Sequence, residues 1–490
     1  MTIYSITSSI PKKFGGLTTA VLQRTCLLNS YNYDAKVITT DYMDLANIDK
    51  VISDKKLFSQ DNHINVYDYL ADNDKTIRDN YKKVISSYSE QKNIYKTHKN
   101  GTSTHYFFNK QGLPTIEVKY KEDKTVNCIH YYSEYGTFIK EKSYVNDYGN
   151  IYKNIYYSPE GTRLKQEYIN NEGEVYLIEE MDTTKELCAK LDNQWQKFSN
   201  KEMMQISVLN RIINPEDIII SDKRSTDNIV FSLSAHRYFA CHLRHWSERG
   251  KIRPMYQKLF ERLENTQGKL LTFTHEQAKD IEEEFPYLQQ RIVTIPHYID
   301  LEGELALEKS EPHFVIISRL ARSKNIIESI DAFHSVHQMI PHYTLEIYGN
   351  GEEEETIKKY IEKNNLTEVH MNGYISNVKE YFYKAAGCLS TSQEEAFGIT
   401  ISESLSQGCP VIAYEIAYGP KDLLEGKADC FLIANHDRDS FEKAIVALAN
   451  KNDNNEQQRQ LLQQQHCSEF SKESIMKQWR NLIEEVKSNE

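Results

Sequence analysis

Apolar positions along the chain come in short runs, and their spacing changes character twice. Thr2–Ile6 and Ala35–Thr40 read as strands, Leu17–Leu28 has helical spacing, and Val66–Leu70 closes this first portion. From Tyr106 to about Glu180, tyrosine or another apolar residue alternates with charge. Turn glycines stand at 112, 136, 149, 161 and 173, and Lys121–Lys124 supplies a turn in the one long gap. Strands of about five residues with a turn every dozen make an antiparallel meander. The spacing predicts a helical stretch around Ala189–Val208, then strands at Ile218–Ile220, Ile229–Leu233, Lys269–Thr274 and Ile292–Pro296. A second alternation follows, with strands at Phe314–Ser318, Leu345–Gly351, Ala385–Leu389, Val411–Tyr414 and Phe431–Ile433, and a helix over Ile326–His337. The last sixty residues are helical and polar. The expected architecture is α/β, two Rossmann-like lobes with an antiparallel β-meander inserted in the first. The segments are 1–75 and 206–296 for the N-terminal lobe, 76–205 for the insert, 297–470 for the C-terminal lobe and 471–490 for a final helix.

Composition narrows the field. A chain of 490 residues holds two or three domains. No apolar run is long enough for a transmembrane helix, and the N-terminus lacks the pattern of a signal peptide. Eight scattered cysteines show neither a C-x-x-C pair nor a zinc spacing, which fits a reduced cytoplasm. A net charge of −12 argues against general nucleic-acid binding. Thirteen of the 33 tyrosines fall between Tyr95 and Tyr176, so the insert is chemically distinct. Its sheet edges call for cover by another domain or subunit.

The chemistry concentrates in Thr391–Ala413. Glu395 precedes a helix that opens at Phe397-Gly398 and closes at Gly408, and Glu403 sits about two turns inside it. Free amides at a helix start suit a phosphate, and two carboxylates flanking it suit sugar and ribose hydroxyls. Arg319 and Lys324, five apart between a strand and a helix, aim at the same sheet edge. Near the N-terminus, Gly15-Gly16 lets backbone approach a ligand without a Cβ in the way. His236 is placed just past the strand Ile229–Leu233, where open α/β sheets hold ligands. The segment His242–Arg253 is the densest basic cluster, suited to a polyanion.

The Glu395-x7-Glu403 motif, with its Phe-Gly helix start and Gly-x-Pro-Val exit, resembles that of retaining glycosyltransferases of the GT-B fold, family GT4. In texture the chain is similar to bacterial members that modify wall teichoic acid or serine-rich adhesins. The resemblance implies that Glu395 holds the transferred sugar and Glu403 the ribose. It also implies that Arg319, Lys324 and the amides of Ala396, Phe397, Gly398 and Ile399 hold the diphosphate, and that Gly16 faces the transfer site. Tyr374 and Ile375 would line the uracil pocket, and His236 would touch the donor sugar. Two departures stand out, Ser318 where a glycine is usual before Arg319 and Ala235 where an asparagine is usual before His236. The expected donor is UDP-glucose or UDP-N-acetylglucosamine, with no obligatory cofactor and no metal. The expected acceptor is a polyanionic poly(ribitol- or glycerol-phosphate). A homotrimer joined through the insert and a cytoplasmic site, peripheral at the inner membrane face, complete the expectation. The alternatives are an O-glycosyltransferase of serine-rich adhesins and a non-catalytic partner subunit.

Overall fold

A computed structural model describes residues 1–11, 16–43, 60–72, 82, 85–86, 93–99, 101–181, 185–247, 250–298, 312–375, 377–427, 429–451 and 456–488. Gly15 lies outside these, as do residues 248 and 249 of the basic segment His242–Arg253.

The N-terminal lobe is a seven-stranded parallel sheet. Its spatial order is Ile292–Thr294, Lys269–Thr272, His236–Ala240, Ile218–Ser221, Ile3–Thr7, Ala35–Thr39, His63–Asn65. Every residue of Ile3–Thr7 is buried, because this strand is central and covered on both faces. The C-terminal lobe repeats the plan with six parallel strands, ordered Val369–Gly373, Thr344–Tyr348, His313–Ile317, Gly387–Ser390, Val411–Glu415, Phe431–Ala434. In each sheet the strand order reverses direction beside the first strand of the lobe. That leaves a crevice at the carboxyl ends of Ile3–Thr7 and Ile218–Ser221 in one lobe, and of His313–Ile317 and Gly387–Ser390 in the other.

The insert is a ten-stranded antiparallel meander from Asn93–Lys99 to Gln194–Phe198, each strand pairing with the next in sequence. The five turn glycines all have positive φ, between 66° and 91°, and Lys124 takes the same conformation at φ 65°. At each of the five glycines the amide donates to the carbonyl three residues back; at Gly112, Gly149, Gly161 and Gly173 this is the three-residue hairpin that needs a left-handed third position, and at Gly136 the loop is one residue longer. The tyrosine surplus has a packing role. Tyr42 of the lobe stacks on Tyr152 of the insert at 4.6 Å, and Tyr67 lies 5.2 Å from Tyr168.

Two expectations need correcting. The stretch Ala189–Val208 is not one helix, since the strands Leu187–Leu191 and Gln194–Phe198 precede the helix Lys201–Leu209. Asp192 and Asn193, both at positive φ, turn that last hairpin. Ile229–Leu233 is not a strand either. Asp227–Phe231 is a short helix whose apolar side chains are buried, and five residues with one exposed position, Asn228, are too few to reveal a helical period. The segment that closes the first portion, Val66–Ala71, is a helix capped by the Asn65 side chain.

The final helix, Lys472–Ser488, returns to the N-terminal lobe. Trp479, Leu482, Ile483 and Val486 share one core with Leu27 and Leu28 of the first helix, and that core continues to Phe397 and Ile401 of the other lobe. Lys269 pairs with Glu485 at 2.5 Å, and Arg24 lies over the Trp479 ring at 6.0 Å.

Candidate active site

At the C-terminal lobe's crevice two loops run side by side. One leaves His313–Ile317 and carries Arg319 and Lys324; the other leaves Gly387–Ser390 and carries Glu395. Three bonds tie them together. Gln393 N donates to Ser323 O at 2.8 Å, the Thr391 hydroxyl to Asn325 O at 2.8 Å, and Ser329 Oγ meets Thr391 Oγ1 at 2.8 Å. So tethered, Lys324 Nζ forms an ion pair with Glu395 Oε1, which also accepts from Ser392 Oγ at 2.9 Å. These side chains line a pocket of about 390 Å³ with Ser318, Thr400 and Ile401. Arg319 stands exposed on the first loop and makes no ion pair among the described residues.

The helix Ile399–Ser406 begins at the same spot, with Gly398 as its left-handed N-cap at φ 90°. Its first-turn amides have no partners within the helix. Phe397 is buried, and the chain behind it is held close. Tyr418 N donates to Glu395 O at 3.1 Å, and a Cβ on Gly419, at φ 96°, would fall 2.2 Å from Phe397 O. Glu403 is the fifth residue of the helix, so it lies little more than one turn in, closer to the helix start than the expected two turns. Tyr374 is exposed and Ile375 half-buried just past the strand Val369–Gly373, on the same edge of the sheet.

From the other lobe, Gly16 opens the helix Gly16–Ser30 and faces Ile399, whose Cδ1 would lie 3.3 Å from a Cβ built on the glycine. The basic segment crosses the cleft, with Arg253 pairing with Glu394 next to Glu395. Tyr418 donates to Asp280 Oδ2 at 2.7 Å, and its hydroxyl lies 3.4 Å from His245 Nδ1. Burial pushes the His245 ring down to about 4, so it is neutral. Arg244 makes no ion pair among the described residues.

His236 is misplaced by the sequence reading. It is the first residue of the strand His236–Ala240, paired with Ile218, so it lies at the amino edge, away from the crevice. The histidine at the carboxyl edge is His242, two residues past that strand, which sequence reasoning took only as part of a basic run. His242 Nε2 bonds Asp222 Oδ1 at 2.8 Å, and Asp222 directly follows Ile218–Ser221 at the N-lobe crevice. Arg24 Nη2 donates to Asp222 Oδ2 at 2.5 Å and to Ser5 Oγ at 2.7 Å. Burial alone would raise the Asp222 carboxyl, but the Arg24 guanidinium and His242 together hold it below the ordinary carboxylate range. Burial lowers His242 despite its bond to Asp222, so the ring is neutral. The His242 ring packs 4.7 Å from Phe273, and His297, stacked on Phe273 at 4.1 Å, meets Phe397 at 5.2 Å. A chain of rings thus joins the N-lobe histidine to the C-lobe helix start.

The chain is 28% identical to the poly(glycerol-phosphate) alpha-glucosyltransferase of Bacillus subtilis, over 91% of this chain and 70% of that one. It is 23% identical to the poly(ribitol-phosphate) alpha-N-acetylglucosaminyltransferase of Staphylococcus aureus, over 98% and 99%. Two solved structures superpose with TM-scores of 0.83. One is S. aureus TarM with UDP and alpha-GlcNAc-glycerol, at 20% identity over 98% of this chain and 99% of that one. The other is the pneumococcal O-GlcNAc transferase GtfA with UDP and GlcNAc, at 21% over 99% of each. Residues 300–465 match the family described as glycosyl transferases group 1. The chain therefore carries a glycosyltransferase group 1 domain within a GT-B fold, whose N-terminal lobe bears an antiparallel insert.

Proposed function

We propose that this protein is a retaining glycosyltransferase that moves glucose or N-acetylglucosamine from a UDP-sugar to hydroxyls of a poly(glycerol- or ribitol-phosphate), with an α linkage. The observation that carries the reading is the pocket that Lys324 and Glu395 share with Thr400 and Ile401 of the helix that starts at Gly398, with Arg319 on the same loop as Lys324. UDP leaves as an anion, and these cations and amides stabilise the charge that develops on its phosphate. Glu395 takes the sugar hydroxyls, Glu403 the ribose, and Tyr374 with Ile375 the base. The acceptor hydroxyl attacks C1 on the face that the diphosphate leaves. The new C1–O bond forms as the C1–O(phosphate) bond breaks, and the hydroxyl proton passes to the departing phosphate oxygen. Arg244 and the backbone around it, beside the cleft, face the acceptor's phosphates.

We place the reaction in the cytoplasm at the inner membrane face; among the described residues no helix is long and apolar enough to cross a membrane. We also propose that the insert joins subunits into a trimer. Among the described residues its edge strand Asn93–Lys99 pairs on one side only, and it presents Tyr95, 60% exposed.

The test is UDP release from UDP-glucose and UDP-N-acetylglucosamine, with and without polyol-phosphate polymer. Polymer-dependent release with one donor supports the reading and identifies the sugar. Release stimulated only by a serine-rich peptide overturns the acceptor and favours the adhesin class. No release with either leaves a non-catalytic partner subunit.

A further inference from the structure

We propose that Asp222 and Arg24 are positioning residues that fix the tautomer of His242, so that His242 presents Nδ1 to the donor as a hydrogen-bond acceptor. The proposal rests on the transferase reading for its kinetic part, but not for its chemical part.

An ionised carboxylate only accepts hydrogen bonds. Asp222 uses one oxygen for Arg24 and the other for His242 Nε2. The Nε2 atom must therefore carry the ring proton, and a neutral ring then has a bare Nδ1. No described residue bonds to that nitrogen. Side-chain exposures of 4% for Arg24, 0% for Asp222 and 6% for His242 exclude water as the usual substitute for either contact. The arrangement is also clamped from outside. Ser5 takes a second hydrogen bond from Arg24 within the central strand, and Trp479 of the final helix covers the guanidinium. Phe273 and His297 pack against the imidazole ring. A bare ring nitrogen at the carboxyl edge of the sheet accepts from a hydroxyl, and the sugar of the donor supplies hydroxyls. The other charged group acting on the ring is Arg224, which disfavours the imidazolium along with Arg24. The ring thus remains an acceptor and does not become a second cation beside the diphosphate.

The experiment begins with the unaltered protein. Histidine labelled with ¹⁵N, with the His242 signals assigned by their loss in His242→Gln, reports which nitrogen bears hydrogen. The expected result is protonated Nε2 and bare Nδ1. The opposite tautomer overturns the proposal whatever the enzyme transfers, and requires no variant to fold. In Asp222→Asn, the amide NH2 donates to Nε2 and forces the proton to Nδ1. The expected result is the inverted ¹⁵N pattern, with kcat/KM for UDP-sugar down on the order of 10- to 100-fold. Asp222→Glu, which keeps the carboxylate, should restore the Nε2–H tautomer and part of the activity. An inverted tautomer with unchanged kinetics overturns the positioning role while leaving the transferase reading intact. Absent UDP release in the unaltered protein, with the expected tautomer, overturns that reading alone.

Discussion

Gly16 and Ile399 are in contact across the cleft. Each opens a helix, one in the N-terminal and one in the C-terminal lobe, and a Cβ on Gly16 would lie 3.3 Å from Ile399 Cδ1, a tight contact that the flexible isoleucine tip can relieve. The positive ends of two helix dipoles therefore meet at the place where a diphosphate would sit. Gly16 lies within a helix, so a side chain there strains no backbone. Gly16→Ala should leave stability unchanged or raise it by up to about 1 kcal/mol, from helix propensity. It should nevertheless raise KM for the UDP-sugar, and Gly16→Val should do so more strongly. Adding Ile399→Ala should recover part of the loss. Steady-state kinetics beside urea unfolding separate the two effects, and additive kinetic losses would show that the contact is immaterial.

Lys324 and Glu395 should act as a unit. Each is about four-fifths buried and each is the other's ion-pair partner, so removing one leaves a partly desolvated charge. Lys324→Met or Glu395→Gln should each lower kcat by about 10²- to 10³-fold, the usual cost of removing one preorganised electrostatic group. The double variant should lose little more than either single one. Full activity in Glu395→Ala would remove the residue from the site.

Much of the C-terminal lobe could be read from the chain, because its signals are local. A buried run, a loop with fixed cations or a Phe-Gly start, and a helix closed by Gly408 follow one another between Ala385 and Gly408 or over a comparable stretch. The meander was legible for the same reason, as its turns demand a left-handed residue at a regular interval. The helix Asp227–Phe231 was not legible. With Asn228 its one exposed residue, it presents Ile229, Val230 and Phe231 as a continuous apolar run, and periodicity cannot separate that from a strand. The error carried the strand end to His236 and hid His242. One signal was available in His236–Ala240, where Tyr238-Phe239-Ala240 is apolar and His242 lies two residues beyond it. The hairpin at Asp192-Asn193 also had a signal, a two-residue turn of types that tolerate positive φ, between alternating runs. The Asp222–Arg24 pair had none, since 198 residues separate its members.

Gly419 supports the helix start from behind. With φ at 96° and Phe397 O where its Cβ would go, any side chain displaces backbone, which cannot yield as a flexible side chain can. Gly419→Ala should cost about 3 kcal/mol or more of stability and shift Phe397 and Gly398. Urea unfolding should show a lower midpoint, and the folded fraction should bind UDP less tightly. A variant with unchanged stability would mean that the segment after Ala417 moves freely from Phe397.

His466 makes stability depend on acid. Its ring is fully buried between helices, with Nε2 2.8 Å from the Ser402 hydroxyl, so the helix Glu456–Phe470 is tied to the helix that carries Glu403. Burial, with the nearby Lys427 ammonium, pushes the ring down to about 3. In the unfolded chain the same ring binds a proton near pH 6.5. Above pH 6.5 both states hold the ring neutral and its contribution is complete. Between about 6.5 and 3 only the unfolded chain takes up the proton, so stability falls as pH falls. Each unit through that window is worth up to about 1.4 kcal/mol, or about 2 kcal/mol on going from pH 7.5 to 5. The depressed His245 adds a slope of the same sign, whereas Glu117, held down to about 2, contributes only below the usual carboxylate range near pH 4.5. The difference between the unaltered protein and His466→Gln isolates the term, because glutamine can meet Ser402 without titrating. Urea unfolding at pH 7.5, 6 and 5 should show the variant losing less stability on acidification. Parallel pH profiles would place His466 in contact with water, and its hydrogen bond to Ser402 would then carry none of this dependence.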